Sequence, residues 1–301
     1  MLYHYARILD VCEPFVIAHR GIVDHVDLQP LGIPIPAENV IDPQARRHGA
    51  FLALLRKLDS LTFGPFGMTM PSWVFYDCAV MPGLFVGLGI RPDRLEPWAR
   101  EALEVPVDYE GLVPVSQYIA IPKLSSFARG DAGAIGDLAC DWLLYSLESI
   151  NQVSPGFAPP GVLKLTLAMG LACLPVHRLF GVTQWRSPKL ETYVDLGPIE
   201  LLTAWTPAHS LPRTLTFRLQ PEELSLPTLL AAPSAHPLAP APNELVDPDD
   251  PQALRALQQR IEDGWSVRVV GRPMGHAAEL RVPLATRAPE HAIDRRSHVG
   301  R

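Results

Sequence analysis

Arg178–Gln220 reads RLFGVTQWRSPKLETYVDLGPIELLTAWTPAHSLPRTLTFRLQ. Leu179–Trp185 predicts a strand and Ser187–Leu196 a short helix. A second strand is expected over Ile199–Thr206 and, after a turn, a third over Thr214–Leu219. Tyr193 lies on the short helix, just before Leu196-Gly197.

Working outward, the 301-residue length suits one large domain or two small ones. A hydrophobic content of 48% supports a packed core and excludes a disordered chain. The net charge of −6 gives no basic field for nucleic acid and no polybasic lipid anchor. Thirty-two prolines shorten regular elements and favour turns. Cys12, Cys78, Cys140 and Cys173 form no CxxC pair and lie in apolar runs, so they read as small core residues in a reduced compartment. Asp10 and Glu13 stand where a signal peptide needs positive and apolar residues. The apolar run Val162–Val176 contains Lys164 and Pro175 and reads as a buried helix, not a membrane span. These features predict a soluble cytoplasmic protein with no bound metal, no nucleic acid and no membrane among its partners.

Residues 1–42 read as extended and proline-punctuated. Asp42-Pro43 is expected to open a helix whose inner face is Phe51, Leu54, Leu55 and Leu58. WVFYDCAVMPGLFVGLGI (73–90) reads as a hairpin turning at Met81-Pro82-Gly83, and Val113–Ile121 as a strand stopped by Pro122. Asp137–Ile150 has Leu138, Trp142, Leu143, Leu147 and Ile150 at helical spacing, and Val162–Leu174 predicts a second apolar helix. Leu224–Pro248 is rich in Pro and Ala and reads as a linker. Asp250-Pro251 caps a further helix carrying Leu254, Leu257 and Ile261, ended by Gly264. Ser266–Gly271 and Ala278–Leu284 are expected to form a terminal hairpin.

The order of elements over roughly residues 72–220 resembles the GNAT acyltransferase superfamily. The 73–90 segment looks like that family's early hairpin. ETYVDLGPIELL is similar to its short helix ending in Tyr, two variable residues, a hydrophobe and Gly. The resemblance implies a glycine-containing loop and helix start that hold the pyrophosphate of acyl-CoA or acetyl-CoA, where backbone N–H groups and the positive helix end favour phosphate. Two loops compete for that part. Arg129, Gly130, Ala132, Gly133 and Ala134 match the family's Arg-led loop, with Ala132 in place of its first Gly and Asp131 added. SPGFAPPG (154–161) stands nearer the next strand, but Pro159 and Pro160 carry no backbone donor. Tyr193 takes the family's part of general acid for the departing thiolate, and it also fits a packing role. His209, in TPAHS, stands where a base for an amine could sit, or where a solvated turn residue would.

A second stretch resembles glycerophosphodiester phosphodiesterases: AHRG (18–21), then PAEN (36–39), gives His19, Arg20 and Glu38. The further acidic and His ligands of that family are missing downstream, as are the βα repeats of a barrel. His25 and Asp27 add only a common spacing. Trp73, Trp142, Trp185 and Trp205 read as core residues.

The expected fold is therefore α+β, a mixed, largely antiparallel sheet flanked by helices and GNAT-like. Residues 1–71 form an N-terminal extension, 72–220 the core, 221–249 the linker and 250–301 a C-terminal extension. The expected activity is N-acyl transfer from acyl-CoA to a small-molecule amine by direct attack on the thioester. The alternative is a non-enzymatic binding or assembly protein on the same scaffold.

Overall fold

The computed structural model describes residues 2–18, 31–66, 69–72, 76, 83–122, 141–173, 178–205, 214–219, 241–275 and 279–289. They fall into two compact units, Met1–His177 and Arg178–Arg301. Both are α+β, with helices and largely antiparallel strands; the first is mixed and the second antiparallel at each described pair.

In the first unit, helix α1 (Leu2–Leu9) leads into strand β1 (Cys12–Ala18). Strand β2 (Val40–Ile41), helix α2 (Gly49–Phe63), strand β3 (Leu84–Ile90) and helix α3 (Pro97–Ala102) follow. Strand β4 (Val113–Pro122), strand β5 (Asp141–Ser149) and helix α4 (Val162–Cys173) complete it. The strand order is β2-β1-β3-β4-β5, with β1/β2 parallel and the remaining pairs antiparallel.

The side chains of β4 alternate between two faces, as strand geometry requires. Ile119 joins Phe15, Ile17 and Phe85 in a core closed by Phe51, Leu52 and Leu55 of α2. Phe15 and Phe51 meet edge to face at 4.9 Å. The expected inner face of α2 (Phe51, Leu54, Leu55 and Leu58) is buried in full. On the opposite face of β4, Ser116 and Thr166 of α4 share a 2.6 Å hydrogen bond. Gly170 of α4 lies against the Tyr118 ring, where a Cβ would come within 2.6 Å. Helix α4 can approach the sheet this closely only because position 170 has no side chain.

Several expectations are corrected here. Residues 1–42 contain α1, β1 and β2 instead of a purely extended run. Asp42 does cap a turn, its Oδ1 accepting from Gln44 N at 2.9 Å, but α2 begins at Gly49. Of the expected 73–90 hairpin, Leu84–Ile90 runs as strand β3 and pairs with β1 and β4, while residues 73–75 and 77–82 lie outside the described residues. Asp137–Ile150 is not a helix, because Asp141–Ser149 runs as a strand against β4.

An ion-pair cluster ties the start of β1 to the end of β3. Arg91 donates to Glu13 Oε1 at 2.9 Å and Oε2 at 2.6 Å, and Asn39 Nδ2 donates to Glu13 Oε2 at 3.1 Å. The Arg91 hydrogen bonds hold the Glu13 carboxyl below its usual range; partial burial opposes this and Asn39 assists it. A carboxyl with a depressed folded-state pKa stabilises above the unfolded value of about 4.3 and loses that contribution as pH falls through the folded value. Glu13→Gln is expected to cost about 1–3 kcal/mol near neutrality. It should also flatten the acid limb of stability in urea titrations run between about pH 7 and pH 3. An unchanged acid limb would show that the cluster adds nothing.

In the second unit, strand β6 (Arg178–Gln184), helix α5 (Pro188–Val194), strand β7 (Ile199–Thr203) and strand β8 (Thr214–Leu219) follow the expected order. Strand β9 (Glu244–Val246) falls inside the stretch read as linker. Helix α6 (Pro251–Glu262), strand β10 (Ser266–Val269) and strand β11 (Val282–Arg287) follow. The order is β6-β8-β7-β10-β11-β9, antiparallel at each described pair. Ser187 caps α5 through Lys189 N, and Asp250 caps α6 through Gln252 N, each with Pro at the first helical turn. Arg260 grips Glu244 with two bonds of 2.6 and 2.7 Å, joining α6 to β9.

Candidate functional site

The loop between β5 and α4 is braced from one side chain. Asn151 Nδ2 donates to Ala158 O at 2.8 Å and to Pro159 O at 3.4 Å, while Ala158 N donates to Asn151 Oδ1 at 2.8 Å. One amide thus closes SPGFAPPG (154–161) into a fixed turn. Gly156 and Gly161 sit at φ of +85° and +90°, a region that L side chains avoid. The first intrahelical bond runs from Leu165 N to Gly161 O at 3.0 Å. The N–H groups of Val162, Leu163 and Lys164 therefore stand outside the helix's own ladder, at its positive end.

A polar set lies on the α2 face of β4 and β5. Gln117 is directly opposite Glu148 in the strand register, and Ile119 opposite Ser146. Gln117 and Glu148 are both 0% exposed, and Ser146 is 6% exposed. Gln117 Nε2 donates to Glu148 Oε1. A carboxylate only accepts, so this bond fixes which end of the amide carries nitrogen. Gln117 Oε1 and Ser146 Oγ have no hydrogen-bond partner among the described residues. Next to Ser146 the ladder is irregular: Ile119 faces Ser146 and Ala120 faces Leu144, which leaves Tyr145 as the extra residue of a bulge. Bulges re-aim side chains and concentrate beside functional sites.

In the second unit Tyr193 is buried on α5, its ring 4.8 Å from that of Phe217 on β8. Burial pushes its phenol well above the ordinary tyrosine range. His209 lies outside the described residues, as do Arg129, Gly130, Ala132, Gly133 and Ala134. The helix expected to follow that arginine-led loop is replaced by β5, whereas 154–161 does run into a helix. His19, Arg20, His25 and Asp27 also lie outside the described residues. Glu38 is an exposed residue 3.7 Å from Arg91. Among the described residues no group of three or more His, Cys, Asp or Glu could hold a metal. No described helix is long and apolar enough to cross a membrane.

No family model and no curated protein matches the chain. Among solved structures it is similar to TofI in a ternary complex with an inhibitor and MTA, at 13% identity and a TM-score of 0.38 over 73% of this chain and 98% of that one. The apo form of TofI gives 12% and 0.37, over 73% and 98%. FeeM, an N-acyl amino acid synthase from uncultured soil microbes, gives 14% and 0.37 over 60% of this chain and 87% of its own. Likeness below a TM-score of 0.5 assigns neither fold family nor chemistry.

Sequence reading missed the Gln117, Ser146 and Glu148 set. Its signal was present: Ser146 and Glu148 stand two apart in LLYSLES, the spacing of one strand face. Reading that stretch as a helix scattered them around a cylinder.

Proposed function

We propose that this protein is an acyltransferase that passes an acyl group from a coenzyme A thioester to an amine. The observation that carries this reading is the succession of a strand, a loop fixed by Asn151, the apolar helix α4, then β6, the tyrosine-bearing helix α5 and the β7/β8 pair. It follows the succession that the GNAT resemblance implies, with 154–161 in the place of the phosphate loop. The loop's fit to a pyrophosphate is argued from its donors. Pro159 and Pro160 supply none, so the N–H groups of Val162, Leu163 and Lys164 would hold the anion. Bound there, acyl-CoA supplies an activated acyl carbon. Tyr193, kept protonated by burial in the second unit, is the residue to which the GNAT resemblance gives the part of proton donor to a thiolate, and that part is proposed from the resemblance alone.

Calorimetric titration of the full chain with acetyl-CoA and longer acyl-CoAs tests this. Absence of heat with every donor would sink the reading. Asn151→Ala removes the loop's brace and is expected to weaken acyl-CoA binding about tenfold, equivalent to about 1.4 kcal/mol. Its cost to folding should be about 1–3 kcal/mol, because the backbone groups at 158 lose their partners. Unaltered affinity in a folded Asn151→Ala protein would remove 154–161 from the cofactor site.

A further inference from the structure

Leu95, Ala99 and Leu103 are buried and seat α3 on the first unit. Trp98 of the same helix is 52% exposed, whereas Trp142 and Trp185 are fully buried. Exposure of a single apolar side chain says little by itself. What singles out Trp98 is the contact that holds it. Its ring meets that of Phe157 edge to face, with centroids 5.3 Å apart and planes at 86°. A perpendicular partner covers at most one face of an indole and leaves the other for stacking. Phe157 is itself buried, and it belongs to the loop braced by Asn151. Its N–H donates to Ser154 O at 3.1 Å, and the N–H of the next residue, Ala158, donates to Asn151 Oδ1 at 2.8 Å. The half-exposed indole is therefore held against a fixed loop.

We propose that Trp98, propped on Phe157, is the stacking platform for the adenine base of the coenzyme A nucleotide. Aromatic side chains bind bases through the π-face that every base presents. Trp98 offers such a face beside the loop whose far end carries the unpaired N–H groups of Val162, Leu163 and Lys164. Phe157 precedes Val162 by five residues, at most about 18 Å of chain. The brace from Asn151 to Ala158 folds that stretch back and shortens the distance. The nucleotide half of coenzyme A carries its base one ribose away from its pyrophosphate, so base and phosphates can reach the two ends of one loop.

The charges around α3 divide the two parts in the same way. Glu96 and Glu101 are exposed on either side of Trp98 in the chain. Two carboxylates disfavour an anion at the indole and tolerate an uncharged ring. The phosphates are left to the backbone donors at the start of α4, where the helix end is positive. Assignment of the base to coenzyme A rests on the acyl-transfer reading; the platform itself rests on Trp98, Phe157 and the braced loop.

The test titrates the full chain with three probes: acetyl-CoA, ADP, and acetyl-4′-phosphopantetheine, which keeps the thioester and one phosphate but has no base. Trp98→Ala should weaken acetyl-CoA and ADP about 5- to 100-fold, the range for losing one base–aromatic stack. Its affinity for acetyl-4′-phosphopantetheine should match that of wild type. Trp98→Phe keeps a π-face and should retain most of the affinity for the two nucleotides. Trp98→Leu keeps apolar bulk against Phe157 without a π-face, and it decides the matter if Trp98→Ala does not fold. Unaltered acetyl-CoA affinity in the folded variants overturns the platform and leaves the acyltransferase reading standing. So does an equal loss for acetyl-4′-phosphopantetheine, which would show that Trp98 only props the loop. Trp98-dependent binding of ADP with no binding of acetyl-CoA keeps the adenine platform and removes the acyltransferase reading. A wild-type protein that binds none of the three overturns both.

Discussion

Trp185→Ala is expected to cost about 3–5 kcal/mol, the range for truncating a buried large aromatic. Trp185 is fully buried where β6 ends, and its indole Nε1 donates to Ala204 O at 2.8 Å just beyond β7. Ala204 N in turn donates to Gln258 Oε1 of α6 at 2.8 Å, and Trp205 N shares that oxygen at 3.3 Å. One indole and one amide therefore pin the same short segment through its carbonyl and its N–H groups. Alanine at 185 opens a cavity and leaves the Ala204 carbonyl without its partner, so transfer, cavity and hydrogen-bond costs act together. Trp185→Phe keeps most of the apolar volume and should cost about 1–3 kcal/mol, chiefly for the lost hydrogen bond. Urea unfolding of the two variants separates the contributions. If they are equally destabilised, the Ala204 bond dominates and the cavity is closed by repacking. If neither departs from wild type, the pinned segment is not part of the cooperative unit.

The second unit was the more legible half of this chain, and the reason is locality. Ser187-Pro188 and Asp250-Pro251 place a cap and a proline side by side, a signal that depends on no distant partner. Thr214–Leu219 alternates as a strand with one buried face and needs no long-range information. Asp141–Ser149 failed for the opposite reason. Leu138, Trp142, Leu143, Leu147 and Ile150 of the expected helix 137–150 satisfy a helical period, and Asp141–Ser149 itself contains no Val, Ile or Thr, so local preference favoured a helix. Pairing with β4 overrode it, and no window shorter than the whole sheet contains that pairing. Strand β1 was hidden by Pro14, which removes a donor yet sits in register opposite Leu88. The candidate site inherits the same limit. Tyr193 could be picked out from its place on a short helix, whereas Gln117 and Glu148 become neighbours only once two strands lie side by side.

Tyr193→Phe separates the two parts that residue can play. Its ring packs on Phe217, and phenylalanine preserves that contact, so folding stability should change by less than about 1.5 kcal/mol. If the hydroxyl delivers the proton that the CoA thiolate needs, turnover should fall about 10²–10⁴-fold, the usual worth of a positioned acid. Acyl-CoA affinity should hold, because the proton moves only as the C–S bond breaks. The raised pKa also fixes the sign of the pH response. A phenol pushed above the ordinary tyrosine range stays protonated, and so able to donate, throughout the neutral and mildly alkaline range, and the rate should show no alkaline loss there from this group. Tyr193→Ala is the packing control: it removes the ring and should destabilise by about 3–5 kcal/mol whatever the chemistry. A Tyr193→Phe protein with wild-type turnover would assign Tyr193 to the core alone. A protein with wild-type stability, intact acyl-CoA binding and collapsed turnover would assign it to the reaction, because nothing but one hydroxyl has been removed.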